Sequence, residues 1–242
     1  MIKTLIYILD KFTLISKVNK LKIKDAGIDG EGDPYVTIEN GMRFYGSLPG
    51  EKDRKYYNRL SSSKKSELQF ECFRVAQDIV IRYFEGGLKY RGPKKNSFYN
   101  VKKGDVVVEM GAFMGYFSMK MSEVVGETGK VIAIEPISAN TRLLKKNLEF
   151  NNLDNCTLIP KGVLKEKTEI DFFKVEKDHQ SSSILMENSN KQKFLLPVDS
   201  LDNMFGPFNL EKIDFMVIQL NGVEIEALDG LNRVKPKNIA IA

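Results

Sequence analysis

Histidine is almost missing from this chain of 242 residues: His179 stands alone. Mechanisms that need two imidazoles, HExxH hydrolysis and multi-histidine iron or zinc sites among them, are therefore excluded. Cysteine is scarce as well, with Cys72 and Cys156 far apart and no CxxC pair. Neither a zinc knuckle nor a disulfide framework is encoded, no metal site is expected, and a reducing cytoplasm is the simplest setting. Tryptophan is absent, and no apolar run reaches the length of about 20 residues that a membrane-spanning helix needs. The apolar stretch from Met1 to Val18 is interrupted by Lys3, Asp10 and Lys11, and it lacks the small-residue cleavage site of a secretory signal.

What is present suffices for a packed domain. Hydrophobic residues make up 42% of the chain, and 37 Lys+Arg against 32 Asp+Glu leave a net charge of +5. That mild excess aids solubility and attracts anionic substrates. The lysines scattered through 52–65 and 94–103 are read as a solvated face, so no nucleic-acid partner is expected. Leu5, Leu9, Phe12 and Ile15 recur at helical spacing and predict a short amphipathic helix that packs on its own domain, with weak peripheral membrane contact as the alternative.

Residues 1–100 read as an N-terminal α+β cap and connection. Tyr35–Ile38 and Met42–Tyr45 flank Asn40-Gly41, a strong hairpin signal because both central residues tolerate positive φ. The serine-rich stretch from Glu51 to Lys65 predicts a mobile connection. Phe73, Ala76, Val80 and either Tyr83 or Phe84 share one face of a helix that should stop at Gly86-Gly87.

From 101 to 242 the pattern changes to α/β. Val106–Val108 runs into a glycine turn and a helix with Phe117, Met121 and Val125 as its stripe. Val131–Ile134 is a second buried strand, ending at Glu135-Pro136, and Leu143, Leu144 and Leu148, with Phe150 as a further candidate, mark the next helix. Cys156–Ile159, Ile213–Ile218 and Asn238–Ile241 supply three more strands. Strands apolar along their whole length belong to a mostly parallel, doubly wound sheet covered on both faces. Two further strands are expected between Ile170 and Leu201, around Ser181-Ser182-Ser183, forming either a lid or acceptor wall or a structural excursion.

Sheets of this kind bind ligands at the carboxyl ends of their strands. There the chain reads Glu109-Met110-Gly111-Ala112-Phe113-Met114-Gly115. Gly111 permits a tight backbone and close ligand approach, and Gly115 lets the helix begin beside a bound molecule. Glu135, twenty residues beyond Gly115, can accept hydrogen bonds from both hydroxyls of a ribose. A dinucleotide fingerprint would require glycine where Phe113 and Tyr116 stand, which weakens an NAD-dependent reductase and favours S-adenosylmethionine.

The run Val101 to Ser118, the segment Gly129 to Pro136, the asparagines Asn140 and Asn147 and the later Asp199-Ser200-Leu201 resemble the FkbM-type methyltransferases, from Val101 to the C-terminus. That resemblance implies a Rossmann-like methyltransferase fold and O-methylation of a hydroxyl on a sugar or other small natural product. It also implies cofactor contacts from Glu109, Gly111, Ala112, Phe113, Gly115, Tyr116, Phe117, Ser118, Glu135, Pro136 and Asn140. The family's fourth strand ends in I-D-V-E-G-A-E, whereas this chain reads Ile218-Gln219-Leu220-Asn221-Gly222-Val223-Glu224. Gln219 and Asn221 are amides that take up no proton at neutral pH, and Glu224 is the remaining carboxylate of a catalytic set Gln219, Asn221 and Glu224. A module that binds the cofactor without turnover is the rival. The chain ends at its fifth core strand where such sheets usually add two more, so an open edge predicts a fragment or pairing into a homodimer.

Overall fold

An Asn-Gly pair turns the chain sharply at residues 40 and 41, and the N-terminal sheet is built around that turn. In the computed structural model, which describes residues 13–85, 99–174, 192–220 and 222–241, helix α1 (13–20) leads into β1 (Ile23–Ile28). Strands β2 (Pro34–Ile38) and β3 (Arg43–Tyr45) flank Gly41, whose φ is +91°. The three strands pair antiparallel in the order β1-β2-β3, with Val36 opposite Phe44. The hairpin follows its sequence signal. Strand β1 does not, because Lys24-Asp25 and Gly27 carry little strand propensity and only pairing with β2 makes it a strand.

Ile15 and Val18 of α1 are buried in the domain's own core, while Leu5, Leu9 and Phe12 lie outside the described residues. No described helix is long and apolar enough to cross a membrane. The stretch read as a connection is helical instead. It holds a 3-10 turn (Glu51–Asp53), α2 (Arg54–Tyr57) and α3 (Ser62–Glu67), and Ser61 caps α3 by accepting the Lys64 N–H at 3.2 Å. One of its serines, Ser61, acts as a cap. Helix α4 (Phe73–Asp78) continues into a π-helical turn at Ile79–Phe84, burying Phe73, Ala76, Val80 and Tyr83 as the stripe predicted; Gly86 and Gly87 fall outside the described residues.

The α/β half begins with β4 (Val106–Met110), α5 (Tyr116–Val125), β5 (Lys130–Ile134), α6 (Ser138–Phe150) and β6 (Cys156–Ile159). Strands β7 (Gly162–Val163), β8 (Thr168–Lys174) and β9 (Gln192–Asp199) form a separate sheet in the order β7-β9-β8, so the two extra strands exist and a third short one joins them. His179 and Ser181–Ser183 lie outside the described residues. Helix α7 (Leu201–Phe205), β10 (Phe215–Ile218), α8 (Glu224–Leu228) and β11 (Ile239–Ile241) complete the chain. Among the described residues the main sheet is five-stranded and parallel throughout, in the order β11-β10-β4-β5-β6.

Alternation along these strands divides two cores. Val107, Val131, Ala133 and Val217 belong with α5, α6, α4 and the N-terminal sheet, whereas Val108, Met110, Ile132, Ile134, Met216 and Ile218 belong with α7 and α8. The doubly wound expectation therefore holds. The N-terminal region shares the first of these cores: Phe44 packs edge-on to Tyr83 at 4.9 Å and to Tyr116 at 5.1 Å between ring centroids. Cys72 and Cys156 are buried, unpaired thiols.

Candidate functional site

In the order β11-β10-β4-β5-β6 the chain winds outward in both directions from β4, so the crevice of the sheet opens at the carboxyl end of that strand. The turn that fills this place has three residues with positive φ: Gly111 at +83°, Phe113 at +54° and Gly115 at +81°. The packing of the protein itself requires both glycines. A β-carbon at Gly111 would stand 2.2 Å from the Gln219 carbonyl oxygen, and one at Gly115 would stand 2.7 Å from the Leu144 side chain. The room these glycines leave is taken by protein: β10 presses on the turn from one side and α6 from the other.

Glu135 closes the turn from the tip of β5. One carboxylate oxygen accepts the Phe113 N–H at 2.9 Å; the other accepts from the Ile137 N–H and the Asn140 amide, each at 3.0 Å. Burial raises this carboxyl above the usual range even though those three donors and the Arg82 charge pull it down. Pro136 follows it, half-buried. Glu109, in β4, is enclosed further and accepts a hydrogen bond from the Ser118 hydroxyl of α5. Burial pushes its carboxyl up to about 8, against the opposing effects of Ser118 and Arg82.

The remaining predicted contacts are buried around this centre. The Gly111 and Ala112 N–H groups both donate to the Ile134 carbonyl, which ties the turn to β5. Phe117 is buried in the first core. The Tyr116 hydroxyl donates to the Tyr45 carbonyl at 3.0 Å and fastens α5 to the N-terminal sheet.

On the acceptor side, the Gln219 N–H donates to the Met110 carbonyl at 2.9 Å, which keeps the end of β10 against the turn. Glu224 holds the following loop: its two oxygens accept the Leu220 N–H at 3.1 Å and the Gly222 N–H at 3.0 Å. Asn221 lies outside the described residues.

Two residues outside the expected cofactor and catalytic sets belong to this neighbourhood. Arg82, from the π turn, stacks its guanidinium over the Phe113 ring with the central carbon 4.6 Å from the centroid. Asn147 of α6 is fully buried; it accepts the Tyr45 N–H at 2.6 Å and donates to the carbonyls of Tyr45 and Met114 at 3.0 and 2.8 Å. An amide inside the apolar stripe Leu143, Leu144 and Leu148 was a visible signal for Asn147. Nothing local distinguishes Arg82 from any other helical arginine.

Residues 73–200 match the model of the TRM5/TYW2 methyltransferase domain. Protein-L-isoaspartate O-methyltransferase from Thermotoga maritima is 29% identical over 92 residues, covering 35% of this chain and 29% of that protein. The protein of the same name from Methanosarcina mazei is 37% identical over 57 residues, covering 24% of each. The chain thus spans less than a third of the curated relatives it matches. Among solved structures, methyltransferase FkbM from Methylobacillus flagellatus KT is 16% identical, with a TM-score of 0.41, over 73% of this chain and 42% of that one.

Proposed function

Because the chain belongs to the TRM5/TYW2 methyltransferase domain family, with S-adenosylmethionine as its cofactor, we propose that it methylates a hydroxyl of a sugar or other small natural product. The hydroxyl acceptor is supported by the FkbM-like run from Val101 to Ser118. The observation that carries the cofactor assignment is the anchored carboxylate of Glu135 beside the Gly111–Gly115 turn.

The residues suit this cofactor. A carboxylate offers about four acceptor positions and Glu135 uses three, so its orientation is set and one position remains for a single ribose hydroxyl. Phe113 and Tyr116 occupy places where a dinucleotide turn needs glycine, and an NAD-dependent reductase is not favoured. Glu109 is a buried carboxyl whose donors, the hydroxyl and the backbone N–H of Ser118, are both neutral, an environment that favours a cationic ligand.

S-adenosylmethionine brings a methyl on a positively charged sulfur, open to in-line attack by a nucleophile. Alignment by the protein is the larger contribution, and well-oriented reactants gain about 7–11 kcal/mol. In this reading Gln219, whose backbone is held at the turn, orients the acceptor hydroxyl. It takes up no proton. Glu224 has both oxygens engaged by loop N–H groups. That engagement, with the amide at 219, favours a second reading: a module that binds the cofactor without turnover.

Calorimetry with S-adenosylmethionine and S-adenosylhomocysteine tests the first step. Both should bind the wild-type chain, and Glu135→Ala should weaken them by tenfold or more; wild-type protein that binds neither ends the proposal. Labelled-methyl transfer to small molecules of a cell extract then separates the two readings. Label in a product supports the enzyme, and binding with no transfer to any acceptor supports the module.

A further inference from the structure

We propose that Arg82, from the N-terminal region, completes the cofactor site by holding the α-carboxylate of the methionine tail. This rests on the S-adenosylmethionine reading above. The tail carries an ammonium and a carboxylate, and the turn that receives it is lined by the buried carboxyls of Glu109 and Glu135. A carboxylate entering beside the Glu135 carboxylate loses its water and meets like charge unless a cation stands there, and Glu109, held protonated by burial, supplies none.

Three observations place Arg82 there. Its guanidinium lies over the ring of Phe113, the residue whose N–H donates to Glu135. Its charge lowers the pKa of both Glu109 and Glu135, so it acts on both ends of the turn. Asp78 orients it through Nε at 3.4 Å, and Asp78 is itself buried and also held by Arg74 at 3.3 Å. An arginine oriented at Nε keeps the planar fork that matches a carboxylate. The π turn at Ile79–Phe84 shifts this side chain in register relative to a regular helix, and such turns are frequent at functional sites.

The test compares S-adenosylmethionine with its decarboxylated form, which lacks only the carboxylate, by calorimetry on wild-type, Arg82→Gln and Arg82→Lys chains of verified fold. The wild type should prefer S-adenosylmethionine by at least tenfold. Arg82→Gln should lose that preference while its affinity for the decarboxylated form stays within about twofold, and Arg82→Lys should fall between. A wild type that binds both forms equally overturns the role of Arg82 and leaves the cofactor reading standing, a result that needs no variant. Equal weakening of both ligands by Arg82→Gln overturns it too, since that is the outcome for a purely structural arginine. A wild type that binds neither form removes the cofactor reading and this inference with it.

Discussion

A single added methyl group at position 111 meets the Gln219 carbonyl at 2.2 Å on a backbone with φ of +83°. Gly111→Val should therefore destabilise the ligand-free protein by more than the roughly 1–2 kcal/mol that the left-handed conformation costs alone, a loss measurable by urea unfolding. Glu109 yields a pH dependence. Its carboxyl is pushed from 4.5 up to about 8 in the fold, so between these values the native chain holds a proton that the unfolded chain releases. The stability linked to Glu109 is complete below about pH 4.5 and disappears as pH rises through about 8. Glu109→Gln, which can still accept from the Ser118 hydroxyl, should flatten the fall in urea midpoint between pH 5 and pH 8; an unchanged slope would contradict the buried, protonated carboxyl. The positions of Gly111, Gly115 and Glu135 were legible because their spacing is local. Why the glycines are glycines was not, because Gln219 lies 108 residues from Gly111.

Helix α6 does more than cover the sheet. Asn147 and Asn151, one turn apart, each bond an N–H and a C=O of β3: Asn147 with Tyr45, and Asn151 with Arg43 at 2.9 and 2.7 Å. Two side-chain amides thus take the place of a fourth strand along the free edge of the N-terminal sheet. Asn147→Ala removes the side-chain partner of the Tyr45 N–H and of the Met114 carbonyl, leaves the Tyr45 carbonyl to the Tyr116 hydroxyl, and should cost about 3 kcal/mol; Asn151→Ala, at a half-buried site, should cost about 1 kcal/mol. Chemical unfolding of the two variants checks the ranking. Beside them, Arg142 and Lys146 of the same helix pair with Asp33, and Lys146 also reaches Asp29 and Glu31. The three carboxylates lie close enough together for a metal site, yet lysine and arginine already satisfy them. The hairpin and the helices α5 and α6 were readable from Asn-Gly and from apolar periodicity. Strand β1 and the helices between Glu51 and Glu67 were not, because a polar composition conceals elements formed through caps and edge pairing.

For the whole molecule, the cap and the α/β half form one core rather than two, since Phe44, Phe73 and Tyr83 pack in the same cluster as Val107, Val131 and Leu144. Thermal unfolding followed by calorimetry should therefore give a single transition with no earlier loss of the N-terminal region. The segment 101–242 expressed alone should aggregate, because it would expose that apolar face; two separate transitions, or a well-behaved fragment, would show that the halves fold independently. The parallel sheet, the glycine turn and the acidic tip of β5 were determined by sequence alone, because each depends on periodicity or spacing within a few tens of residues. Tertiary structure alone decided that β10 would press on the turn and that Arg82 from the N-terminal region would come to rest on Phe113. Those contacts join segments distant along the chain, and only the packing of a shared core brings them together.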